Sequence, residues 1–120
     1  MLDHLSLQVS DVEKAKVFYE EVLAEIGLVK KIEHGPSAGF GKDGDIYAAE
    51  LWVVPGNPNK THIAFRVDSD EEVDNFYKKA LELGATDNGA PGIREHYAPN
   101  YYACFFHDED GNNIEAVHYQ

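Results

Sequence analysis

The chain has 120 residues, 43% hydrophobic and 12% aromatic, which is ample for one packed core and short for two independent domains. Ten basic against 22 acidic residues give a formal charge of −12, which argues against nucleic acid or an anionic membrane surface as partner, since either demands a basic patch. No apolar run reaches the roughly 20 residues of a membrane span, no signal-peptide pattern opens the chain, and the single cysteine, Cys104, fits a reducing compartment, so the expectation is a cytoplasmic protein.

The first element is a strand, with Leu5, Leu7 and Val9 alternating against His4, Ser6 and Gln8 in the period of two that marks a half-buried strand. Ala15, Phe18, Tyr19, Val22, Leu23 and Ile26 then recur at helical spacing behind Ser10 or Asp11 as N-cap. Strands are predicted over 28–34, 38–42 and 46–54, separated by Gly35-Pro36 and Asp43-Gly44 turns. A second strand–helix pair follows: Ile63, Phe65 and Val67 oppose His62, Ala64 and Arg66, and Val73, Phe76, Tyr77, Ala80 and Leu81 form a helical stripe. The Ser69-Asp70-Glu71-Glu72 start of that helix is read as capping, because carboxylates in a first turn complement the helix dipole. Strands over 85–88, 101–107 and 113–119 complete the chain, with 89–100 irregular around Pro91 and Pro99.

These elements repeat. His4 to Val9 matches His62 to Val67 at an offset of 58, and Phe18-Tyr19, Leu23 and Glu13 recur at the same offset as Phe76-Tyr77, Leu81 and Glu71. Gly27 and Gly84, just beyond the two helices, match with one residue of slippage. The expected fold is α+β: a single domain of two tandem βαβββ modules, about 1–57 and 58–120.

The repeat places His4 and His62 at equivalent positions on the polar faces of equivalent strands. Glu115 lies in an otherwise apolar strand, where an unpaired charge is costly. Two imidazoles and a carboxylate with open positions suit a catalytic divalent site for zinc, nickel, manganese or iron. Cys104 has no basic neighbour or helix start to lower its pKa and is read as a packed residue. Asp108-Glu109-Asp110-Gly111 is read as a turn.

The opening Asp3-His4-Leu5-Ser6-Leu7-Gln8-Val9, the Thr61-His62-Ile63-Ala64-Phe65 strand and the Asp108-to-Glu115 ending resemble the vicinal oxygen chelate superfamily, which includes glyoxalases, bleomycin resistance proteins and dioxygenases. The resemblance covers essentially the whole chain and is nearest to small bacterial glyoxalase-like proteins. It implies paired modules forming a cupped mixed sheet with helices on its outer face, and it implies metal ligands at His4, His62 and Glu115. Glyoxalases add a fourth ligand on the last strand of the first module. Glu50 is the only acid there, and as it shares a face with Ala48 and Trp52 it either completes the set or serves as base. If the ligand position falls at Trp52 instead, three protein ligands remain, as in the fosfomycin-modifying branch.

Further candidates for contact with a substrate are Trp52, Arg94, His96, Tyr97 and one of Tyr101 and Tyr102, whose alternation sends them to opposite faces. Arg94 is suited to a carboxylate or phosphonate, or to pairing with Glu95. The resemblance implies a metal-dependent lyase or isomerase acting on a small oxygen-chelating carbonyl compound, with Glu50 or Glu115 moving a proton. The alternative is a metal-free protein that sequesters small molecules. A homodimer is expected from exposed sheet edges and from the habit of the family.

Overall fold

The computed structural model describes residues 1–45 and 49–120. The chain divides into two compact units, Met1–Asn59 and Lys60–Gln120.

The first unit runs β1 (Leu5–Val9), α1 (Val12–Ala24), β2 (Leu28–His34), β3 (Ser37–Lys42) and β4 (Leu51–Pro55). Its sheet has the order β1-β4-β3-β2, with β1 parallel to β4 and the other pairs antiparallel. The second unit repeats this plan with β5 (His62–Arg66), α2 (Asp70–Glu82), β6 (Thr86–Ile93), β7 (Tyr101–His107) and β8 (Asn113–Tyr119), in the order β5-β8-β7-β6. The α+β class and the two βαβββ modules read from the repeat are the observed architecture.

Local chemistry explains the element ends. The Asp11 carboxylate accepts from the Lys14 amide at 3.1 Å and caps α1, so the N-cap is Asp11 and not Ser10. At α2 the Ser69 hydroxyl accepts from the Glu72 amide at 3.1 Å, and the Glu72 carboxylate accepts from the Asp68 amide at 3.0 Å. Ser69 and Glu72 thus cap the helix, whereas the Asp70 carboxylate meets His118 Nδ1 at 2.9 Å and accepts from the Gln120 side-chain amide at 2.7 Å. Gly27 and Gly84 adopt φ of +83° and +98° just past the helices, a conformation that L side chains resist.

Two strand boundaries differ from expectation. The start of the 46–54 strand, Ile46 to Ala48, lies outside the described residues, and β4 begins at Leu51. Residues 89–93, read as irregular, instead continue β6 to Ile93. Register shifts between Asp87 and Gly89 and between Gly89 and Gly92 carry the strand past Pro91, which cannot donate to a ladder, and Asp87 accepts from the Gly89 amide at 2.8 Å at the first of them.

In the second unit, α2 covers one sheet face. Phe76 packs edge-on against Phe65 and tilted against Phe106, at ring separations of 6.1 and 5.2 Å. The Cys104 thiol points to the Val73 carbonyl at 3.5 Å on that same face. The opposite face carries His62, Ala64 and Arg66 of β5, Tyr101, Ala103 and Phe105 of β7, and Glu115, Val117 and Tyr119 of β8.

Candidate functional site

Glu115 lies at the centre of the second unit's sheet face opposite α2. It stands opposite Ala64 on one side and Phe105 on the other, and only 2% of its surface is exposed. A carboxylate this deep requires partners for both oxygens. His62 Nε2 lies 3.0 Å from Oε1, and the Tyr101 hydroxyl donates to Oε2. Burial, followed by that bond to Glu115, pushes the Tyr101 pKa up, so the phenol keeps its proton. Two of the three predicted metal-ligating residues are therefore in contact.

Aromatic rings surround the pair. Tyr97, carried by the turn after β6, lies edge-on to Tyr101 at 5.3 Å and to Phe105 at 6.5 Å, with His96 4.2 Å beyond it. His62 itself is 6.3 Å from Phe105, and Tyr119 closes on Tyr101 at 5.2 Å. Phe105, Tyr119 and Arg66 were not among the residues predicted for the site. The alternation of β5, β7 and β8 marked their face, but nothing in it marked which face a site would use.

Tyr101 and Tyr102 separate as alternation requires. Tyr102 lies on the α2 side, where its hydroxyl donates to Asp74 at 2.6 Å, so it does not join Tyr101 at Glu115. Arg94 departs from its expected role: Nη1 donates to the Gly92 carbonyl and Nη2 to the Ala90 carbonyl, each at 2.8 Å, with the guanidinium 5.3 Å above the Phe105 ring. Its fork braces β6.

In the first unit, His4 immediately precedes β1, and its Nδ1 lies 2.6 Å from the Asp3 carboxylate. With Nδ1–H donating to that carboxylate, the neutral imidazole presents the lone pair of Nε2. Sequence reasoning passed over Asp3, although an acid beside a candidate ligand was the available signal. Glu50 immediately precedes β4, and its carbonyl accepts from the Leu5 amide at 3.0 Å. Its Oε2 is buried with no hydrogen-bond partner among the described residues.

The register fixes which residue corresponds to Glu115. Ser6 stands opposite Trp52 as Ala64 stands opposite Glu115, and Ser6 and Ala64 match in the repeat. Trp52 is thus the internal counterpart of Glu115, and Glu50, one step before the Leu5–Leu51 pair, is the counterpart of Asn113. Trp52 lies across Gly39 of β3, where an added Cβ would stand 3.0 Å from its ring and 2.9 Å from the Ala49 Cβ.

The donors fit a divalent metal in kind: an imidazole and a buried carboxylate already paired, an orphaned carboxylate oxygen on Glu50, and a tautomer-fixed imidazole on His4. Within either unit alone, no group of three His, Cys, Asp or Glu among the described residues is placed to hold a metal ion.

The family model described as Glyoxalase/Bleomycin resistance protein/Dioxygenase superfamily matches residues 1–116. The metallothiol transferase FosB of Shouchella clausii (strain KSM-K16) is 30% identical over 121 residues, spanning 96% of this chain and 77% of that protein. FosB of Lysinibacillus sphaericus (strain C3-41) is 31% identical, spanning 95% and 79%. Among solved structures, a glyoxalase/bleomycin resistance protein from Albidiferax ferrireducens T118 superposes with a TM-score of 0.83 at 24% identity, covering 97% of each chain. The fosfomycin resistance protein FosX of Listeria monocytogenes, crystallised as its E126Q mutant with Mn(II) and 1S,2S-dihydroxypropylphosphonic acid, superposes at 0.69 with 21% identity, covering 98% of this chain and 88% of that one.

Proposed function

Because the chain belongs to the Glyoxalase/Bleomycin resistance protein/Dioxygenase superfamily, we propose that it is a divalent-metal-dependent enzyme acting on a small oxygen-chelating substrate. The observation that carries this reading is the buried Glu115 carboxylate 3.0 Å from His62 Nε2. The proposed ligands are His62 and Glu115 of the second module and His4 of the first, contributed by the same chain or by a partner copy in the expected homodimer. With Trp52 in the place that corresponds to Glu115, the protein supplies three ligands.

A divalent cation there supplies Lewis acidity, polarising a substrate oxygen. The residues of the chain do the rest. Tyr101 holds Oε2 of Glu115 and so aims Oε1 toward His62. Phe105, buried, and the edge of Tyr97 packed against it offer an apolar surface beside the pair. Glu50, with an oxygen free of hydrogen bonds among the described residues, takes a proton from a carbon next to the substrate carbonyl and returns it to the neighbouring position. That cycle is a glyoxalase-type isomerisation.

Thiol transfer is the second reading, favoured by two curated relatives that are metallothiol transferases and by the three-ligand register at Trp52. Metal-loaded protein assayed with an α-oxoaldehyde–thiol hemithioacetal, and separately with fosfomycin plus a thiol, distinguishes the two. The expected result is EDTA-sensitive turnover of one substrate that falls at least a hundredfold in Glu115→Gln. Ligand binding indifferent to chelator, with no EDTA-sensitive turnover of either, would replace both with the metal-free sequestering protein.

A further inference from the structure

We propose that Arg66 anchors an anionic group of the substrate, so that the substrate class is a small oxygen-chelating compound carrying a carboxylate, phosphate or phosphonate. For its place in catalysis the assignment rests on the site proposed above; for anion binding it stands on its own observations.

The first is position. Arg66 shares the face opposite α2 with His62 and Glu115, two residues beyond Ala64, the residue opposite Glu115. Two residues along a strand span roughly 7 Å. Arg66 is thus about 7 Å along the strand from the level of Glu115 and about 13 Å from His62, so a compound chelating beside Glu115 reaches the guanidinium with a group several bonds away.

The second is the state of the guanidinium. It lies 4.7 Å from the centroid of the Tyr119 ring and makes no ion pair or side-chain hydrogen bond among the described residues, in a chain with 22 acidic residues. Stacking on an aromatic face holds the guanidinium plane while leaving its N–H edges unspent, the arrangement that suits a two-pronged grip on a planar or tetrahedral anion. Arg94, the only other arginine, has already committed Nη1 and Nη2 to backbone carbonyls.

The third is continuity. Tyr119, under Arg66, packs edge-on against Tyr101, and Tyr101 donates to Glu115. A ligand lying along this row meets a cation at one end, aromatic edges in the middle and the ligand pair at the other.

The test is a titration of the EDTA-treated full chain with inorganic phosphate at low ionic strength, followed by 15N–1H NMR. The expected result is a saturable shift of the Arg66 side-chain Nε–H and the Tyr119 amide. The phosphate Kd should rise at least tenfold in Arg66→Met, with Arg66→Lys between the two and all spectra equally dispersed. Succinate in place of phosphate separates a carboxylate preference from a tetrahedral one. Absence of a saturable shift at Arg66 with either anion, or equal affinity in Arg66→Met and the parent, would overturn the assignment. Because no metal is present, failure of the metal site would leave this binding intact, and failure at Arg66 would leave metal binding intact.

Discussion

Burial sets the behaviour of the individual side chains. A carboxylate at 2% exposure costs several kcal/mol unless both oxygens are bonded, and Glu115 meets that demand with His62 and Tyr101. An acid inside an apolar strand is visible from the sequence, which is why Glu115 is legible as a candidate. Tyr101 as its partner is not. The hydroxyl reaches Glu115 past small Ala103 and Val117, and that depends on the β7–β8 register, in which Phe105 and not Tyr101 stands opposite Glu115. The two carbonyl contacts of Arg94 are illegible for a related reason, because a side chain folding back onto its own strand leaves no trace in residue spacing. Cys104 offers a direct check at this scale. Its side chain is fully buried, and burial pushes the thiol up to about 12. The expected outcome is no reaction with a disulfide reagent at pH 8 in the native protein and one equivalent in denaturant. Tyr102 is likewise raised to about 12, first by its bond to Asp74 and then by burial. Both pKa values are higher folded than unfolded, so the native state holds its protons longer. Stability is therefore unaffected by these groups below the ordinary thiol pKa near 9 and falls as pH rises from there toward 12. Urea midpoints measured across that range check the direction.

At the scale of elements, period and capping chemistry carried most of the information. The Ser69–Glu72 reciprocal cap and the glycines after each helix follow rules that operate within four residues, so the helices were legible with their ends. Strand pairing is not local in that sense. Whether Glu50 or Trp52 corresponds to Glu115 depends on which residue pairs with Ser6; the two share a face, so only a register shift of two residues would exchange them. The extension of β6 depends in the same way on bulges that only the partner strand defines. The packing of β4 on β3 is testable at Gly39, whose absent Cβ leaves room for the Trp52 ring and the Ala49 and Ile32 side chains within 3.0 Å. Gly39→Ala is expected to lower stability by about 1–3 kcal/mol through overpacking. Trp52, the only tryptophan, should report the displacement as a shift in its emission during urea unfolding.

For the whole molecule, the repeat was the most informative property of the sequence. An offset of 58 residues relating strand to strand and helix to helix predicted the module plan before any single motif did, because each module must bury its own helix against its own sheet. The same repeat singled out His4 and His62. What it could not convey are the residues that break the symmetry: Glu115 against Trp52, and Arg66 on its Tyr119 platform. In a chain of net charge −12, an arginine without an ion pair among the described residues gives the proposed anion site most of its local positive charge. The central claim is that His4, His62 and Glu115 hold a divalent metal, and elemental analysis of the purified untagged protein beside His4→Ala, His62→Ala and Glu115→Gln tests it most directly. The account predicts near-stoichiometric metal in the parent and at least a tenfold loss of affinity in each variant; a parent that cannot be loaded, or metal that survives all three substitutions, would contradict it.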